Sequence, residues 1–318
     1  MAAAAALVLA IDGFAEPVRN GFRLEPASVP VAEILAGGPA RDGIPALYDP
    51  ERIPADEAPW DEDEMVVGVV RNGEAAAYPI SILVWHELVN DVLGGEPVLV
   101  SYCPLCATAM VFDRRVGGRT RRFGVSGLLY QSDMLLYDRE TESLWSQIRS
   151  EAVTGPALGS RLPLLRSRMM SWGDWKQAEP ETTVLSRRTG HSRAYGRSPY
   201  GDYATSETLY FPAEFDRRQH PKMPTLGLRL RDGTARAYPA AELVRAGGSV
   251  QERFEGRPVQ VSYDPDRQTF SVEAPEDVDV VEGFWFAWMA FHPDSSVWTA
   301  RASVPAEKPV AVTPDPQP

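Results

Sequence analysis

The sequence predicts an α+β fold, predominantly β, with two related hairpin-helix-strand units and a large central β-rich insertion. Three observations carry this expectation. Proline supplies 28 of 318 residues, well above the usual share of about 5%, which favours short elements and rigid turns over long helices. Short apolar runs bounded by turn residues recur along most of the chain. A stretch beginning near residue 65 reappears 160 residues later, Val70 matching Leu230.

Residues 1–11 are alanine-rich and apolar, with no basic segment before them. They make a weak export signal and are too short to cross a bilayer, so a first helix is expected there. Residues 49–64 hold eight acidic side chains against Arg52 alone, interrupted by Pro50, Pro54 and Pro59. This reads as an extended acidic surface segment, without the ligand alternation or central glycine of a calcium loop.

A strand is expected over 65–70, a tight turn at Asn72-Gly73 and a partner strand over 75–78. Pro79 suits a first helical turn, and the helix is expected to run over 80–93 to Gly94-Gly95. Ile82, Trp85, Val89 and Leu93 share its apolar stripe, with His86 at the edge. A strand over 98–102 then delivers the chain into Cys103. Further short strands are expected at 109–113, 120–125, 134–137 and 143–147, and the apolar run 284–291 is expected in the core.

In the second copy, Leu230-Arg231-Asp232-Gly233 matches Val70-Arg71-Asn72-Gly73, and Ala237-Tyr238-Pro239 matches Ala77-Tyr78-Pro79. After one inserted residue, Val261-Ser262-Tyr263 matches Val100-Ser101-Tyr102. The expected organisation is an N-terminal helix and acidic segment over 1–64, one compact domain over 65–300 with repeats at 65–106 and 225–267, and a proline-rich tail over 301–318.

The copies diverge where chemistry enters. Cys103-Pro104-Leu105-Cys106 in the first is Asp264-Pro265-Asp266-Arg267 in the second. The repeated scaffold therefore does not need sulfur, and the only two cysteines of the chain point to a local role. Two chemistries fit the spacing. Cys103 can attack a disulfide with Cys106 resolving it, if a helix start after the strand lowers the thiol pKa. Alternatively, both sulfurs ligate zinc or copper(I), with His86 as the best nearby third ligand. Two buried structural thiols are the plain alternative.

The run from Tyr102 to Asp113, with Trp85-His86-Glu87, Leu129-Tyr130-Gln131-Ser132-Asp133, Leu136-Tyr137-Asp138-Arg139, Leu144-Trp145-Ser146-Gln147, Pro199-Tyr200-Gly201-Asp202-Tyr203 and Pro221-Lys222, resembles a bacterial family known as domain of unknown function 3179 (DUF3179). The resemblance covers about residues 65–297. It implies no settled reaction, and it tilts localisation towards the envelope or periplasm. His86, Cys103, Asp138, Trp145 and Tyr200 fall on its motif positions.

Other signals exclude more than they assign. A net charge of −12 disfavours nucleic acid, and no stretch of 18 apolar residues exists to form an integral membrane segment. Residues 123–128 lack the spacing of a dinucleotide loop, so no nucleotide cofactor is expected. Asp138 is a candidate acid or base, and Tyr102, Tyr137, Trp145, Gln147 and Tyr200 are candidate pocket residues. Two functional readings stand: a cysteine-centred redox or soft-metal protein acting on a small molecule or protein thiol, and a non-catalytic envelope binding protein using the aromatic pocket.

Overall fold

A computed structural model of the protein describes residues 17–300. The expected helix over 1–11 and the proline-rich tail over 301–318 lie outside the described residues. The chain builds a five-blade β-propeller arrangement, and its topology follows from where each short strand finds a partner. Blade one orders Arg168–Ser171, Met65–Arg71, Glu74–Pro79, Thr183–Leu185 and Arg52–Pro54. Blade two orders Leu164–Leu165, Thr108–Asp113, Glu96–Cys103, Leu88–Leu93 and Leu47–Tyr48. Blade three orders Glu151–Ala152, Leu144–Ser146, Asp133–Asp138, Phe123–Tyr130 and Ile34–Ala36. Blade four orders Asp279–Phe284, Pro224–Arg229, Ala235–Pro239 and Ser296–Val297, and blade five Ser249–Phe254, Arg257–Asp264 and Thr269–Glu273.

This corrects the expected α+β architecture of two hairpin-helix-strand units with a central β-rich insertion. Each matching stretch is divided between two blades: helix α1 (Ile80–His86) carries the chain from blade one to blade two, and α3 (Ala240–Arg245) from blade four to blade five. The intervening chain is not inserted material. Its strands complete blades one and two as well as forming blade three, because unpaired strand edges there must find partners.

The helix expected over 80–93 is also shorter. Glu87 takes φ 58° and ψ −35° and ends it, and Leu88–Leu93 pairs with Glu96–Cys103 across Gly94-Gly95. Those glycines have φ 56° and 76°, so they form a hairpin turn rather than a helix cap.

Corresponding positions nevertheless pack alike in blades one and four. The indole of Trp175, in α2 (Trp172–Ala178), covers Gly68, and that of Trp288, in α4 (Trp285–Phe291), covers Gly227. Each indole N–H donates to a hydroxyl seven residues on, Thr182 (2.8 Å) or Ser295 (2.9 Å). A Cβ at position 68 would stand 2.2 Å from the Trp175 ring. Gly68→Ala is therefore expected to destabilise the fold by about 3 kcal/mol, an overpacking cost, measured by urea unfolding. Pairing it with Trp175→Leu should recover part of that loss, whereas strict additivity would mean the two positions do not clash.

The acidic segment is less solvated than expected. Its residues Arg52–Pro54 pair with Thr183–Leu185, Ile53 and Trp60 are buried, and Glu51 and Glu62 pair with Arg188 and Lys176 at 2.5 and 2.6 Å.

Blade four also holds a carboxyl oxygen buried without a hydrogen-bond partner, Glu282 Oε2. Burial lifts its pKa to about 8 from 4.5. The folded state thus keeps a proton that the unfolded chain releases, and stability falls as pH rises from about 4.5 to 8. Glu282→Gln removes that loss. A gain of roughly 1–3 kcal/mol in urea unfolding is expected at pH 8 and little at pH 4; an equal gain at both would refute the assignment.

Candidate thiol and metal site

The strand Glu96–Cys103 turns back into Thr108–Asp113, with Cys103 paired to Thr108. Residues 104–107 make the turn, where the Cys106 amide donates to the Cys103 carbonyl (3.2 Å) and Ala107 adopts φ 50°. The two cysteines thus sit at the end of a β-hairpin. No helix starts after Cys103, so the row of amide donors that would favour a thiolate is absent.

Both thiols are free, and their residues are 1% and 0% exposed. They lie in the largest apolar cluster, where three blades meet. The Cys106 carbonyl accepts from the Phe284 amide of blade four (2.8 Å). Its thiol faces the Ser132 carbonyl (3.4 Å) and Asp133 Oδ1 (3.7 Å) of blade three. Gln131 and Ser132, at φ 52° and 62°, form the tight turn that brings Asp133 there.

Both sulfurs and an Asp133 oxygen lie within 4.8 Å of one another. Burial drives the Asp133 pKa up to about 7 against the pull of the Ile148 and Met134 amides and both thiols. Burial, then the neighbouring Cys103, pushes the Cys106 thiol well above its ordinary value. The pair beside Asp133 is a candidate metal or thiol site: it offers two sulfurs and one carboxylate to a metal ion, or two thiols and a proton acceptor to redox chemistry.

Nearby polar atoms are short of partners. Thr108 Oγ1, Gln147 Oε1 and Tyr203 Oη are buried without a well-formed hydrogen bond. Gln147 is held beside the cysteine hairpin by its amide N–H groups, which donate to Ser101 Oγ (2.9 Å) and the Thr108 carbonyl (3.1 Å). Burial first raises the Tyr102, Tyr200 and Tyr203 phenols; the neighbouring Cys103 and Cys106 add to this at Tyr102 and Tyr203, and Glu87, then Cys103, at Tyr200.

His86 is not a member of this group. It is fully buried, and its Nδ1–H donates to the Pro45 carbonyl (2.7 Å). Its Nε2 consequently accepts from the Tyr195 hydroxyl (2.8 Å), and burial lowers its pKa to about 4. With both nitrogens engaged, the neutral ring is a structural element. Asp133, and not His86, stands with the two cysteines.

Asp138 is similarly committed. Its carboxylate accepts from the Thr141 amide (2.7 Å), the Thr141 hydroxyl (2.6 Å) and Trp145 Nε1 (2.9 Å), which makes it a turn cap. The expected aromatic pocket is divided by its own sheet. Trp145 pairs with Leu136 and joins the cluster containing the cysteines, while Tyr137 points into a separate cluster with Phe22 and donates to Asp42 (2.7 Å). Tyr102, Gln147 and Tyr200 remain near the thiols; Tyr137 does not. The arginine run 114–122 is spread among partners, including Asp113 and Glu96 for Arg115 and Glu140 for Arg122.

One quoted motif residue acquires a role that spacing alone did not suggest. Lys222 is buried, and its ammonium donates to the carbonyls of Tyr203, Ser206 (2.6 Å) and Thr208 (2.8 Å). It also lies 3.5 Å from the centre of the Tyr203 ring. Burial lowers its pKa. Lys222 fastens the segment that covers the cysteine hairpin.

Fold and site together define a five-blade β-propeller with a buried cysteine-cysteine-aspartate group at the junction of its sheets. The chain belongs to the family described as protein of unknown function (DUF3179), whose model matches residues 41–277. No curated protein and no solved structure matches it. Among the described residues no helix is long and apolar enough to cross a membrane.

Proposed function

We propose that the protein binds a metal ion through Cys103, Cys106 and Asp133, and that the ion is zinc. The observation that carries this reading is the convergence of two sulfurs and a carboxylate oxygen within 4.8 Å in a buried site. A buried carboxyl beside two thiols is costly when nothing compensates it. A cation removes that cost and deprotonates the thiols. The mixed donor set favours zinc, which takes both thiolate and carboxylate, over copper(I), which prefers sulfur throughout. A fourth ligand from the under-bonded oxygens nearby, or from water, completes four-coordination. When bound, zinc supplies a Lewis acid; this chain's residues hold it and keep bulk water away.

Thiol exchange is the competing reading. Asp133, with its pKa near 7, can accept a proton from Cys106. Burial of both sulfurs and the raised Cys106 thiol count against a nucleophile that must meet a partner's disulfide. Elemental analysis of anaerobically purified protein tests the choice. About one zinc per chain supports the proposal. Metal-free protein that forms a Cys103–Cys106 disulfide on mild oxidation would overturn it, and one copper per chain would overturn the zinc assignment.

A further inference from the structure

Beside the cysteine hairpin lies a second site, which does not depend on the metal reading. A cavity of about 190 Å³ is walled by Ile44, Leu105, Val125, Leu129, Met134 and Phe211, with the aromatic side chains of Tyr200 and Tyr210 also facing it. Glu87 is its one acidic lining residue. This side chain is 6% exposed, and its carboxyl accepts a single long bond from the Tyr200 hydroxyl (3.3 Å). Among the described residues no lysine, arginine or histidine pairs with it. Glu87 also holds a left-handed backbone at φ 58°, where glycine would be relaxed and a side chain is strained.

A carboxyl in a hydrocarbon chamber, under-bonded and without a counter-ion, calls for a donor from elsewhere. Burial raises the Glu87 pKa to about 7, so at pH 8 its carboxyl is largely ionised and repels an anion. The surrounding aromatic rings favour a cation. Size limits the rest: a dry cavity of about 150 Å³ takes benzene, so this one takes a single ring with a short arm. We propose that the chamber binds a small primary amine with an aromatic or branched-alkyl body, its ammonium on Glu87 and its hydrocarbon against the apolar walls.

Calorimetry on the intact protein at pH 8 with benzylamine, benzyl alcohol and benzoate tests this. Benzylamine should bind about tenfold more tightly than the alcohol, and benzoate should give no binding. Glu87→Gln should weaken benzylamine about tenfold and leave the alcohol nearly unchanged. No heat with benzylamine, equal affinity for all three head groups, or undiminished benzylamine binding by a folded Glu87→Gln protein would each overturn the assignment. The head-group comparison needs only the unaltered chain, so it stands even if that variant does not fold. Metal content plays no part in these readouts, and failure here leaves the zinc proposal untouched.

Discussion

Cys106→Ser is expected to abolish stoichiometric metal binding and to lower thermal stability together. A serine hydroxyl keeps the size of the thiol but is not deprotonated near neutral pH, so it is a poor replacement for a thiolate. Structural zinc sites are worth about 10–16 kcal/mol in small peptides at neutral pH. Losing one of only two sulfurs should therefore cut retained zinc from about one per chain to a few per cent. Cys106 is 0% exposed, and its carbonyl holds Phe284 through a backbone bond that serine preserves, so the variant should remain folded. Elemental analysis and a melting curve of the same preparation read both effects. Full zinc content in Cys106→Ser would place the metal elsewhere.

The second large effect is expected at Lys222. Lys222→Met keeps the aliphatic stem against Tyr203 and removes three charge-assisted bonds, to the carbonyls of Tyr203, Ser206 and Thr208. Bonds to a charged group contribute about 1.5–3 kcal/mol each and do not simply add. A loss of about 3–5 kcal/mol in urea unfolding is expected, with new protease cleavage between residues 203 and 219. Other anchors remain on this segment: the Ser132 hydroxyl donates to the Phe211 carbonyl and Trp285 Nε1 to the Asp216 carbonyl, both at 2.6 Å. Unchanged stability and protease resistance would mean that these suffice without the lysine.

Local chemistry was readable where the determinant is local. Asn72-Gly73 sets a hairpin with Arg71 opposite Glu74, and the apolar run 284–291 ends a blade-four strand at Phe284 and continues as α4, buried over 285–289. The strand into Cys103 and the isolation of both cysteines from the repeat were likewise visible in order and spacing. The blades were not, because a strand such as Arg168–Ser171 joins Met65–Arg71 through edge pairing that no sequence window reports. Gly94-Gly95 misled, since two glycines after an apolar stretch end a helix or turn a hairpin equally well.

The site was half legible for the same reason. A CxxC announces itself, but its third member lies 27 residues from Cys106. Asp133 reaches the thiols through the positive-φ turn at Gln131-Ser132. The signal was present in the Tyr130-Gln131-Ser132-Asp133 run and in an aspartate placed directly before the apolar Met134-Leu135-Leu136, a position where an unpaired carboxyl is unfavourable. His86 was nearer in sequence, but Pro45 and Tyr195 already use its nitrogens.

X-ray absorption at the zinc edge, on anaerobically purified full-length protein, tests the central proposal most directly. Two sulfur scatterers at about 2.3 Å with oxygen at about 2.0–2.2 Å are expected. A first shell containing nitrogen and no sulfur, or no zinc edge at all, would contradict it.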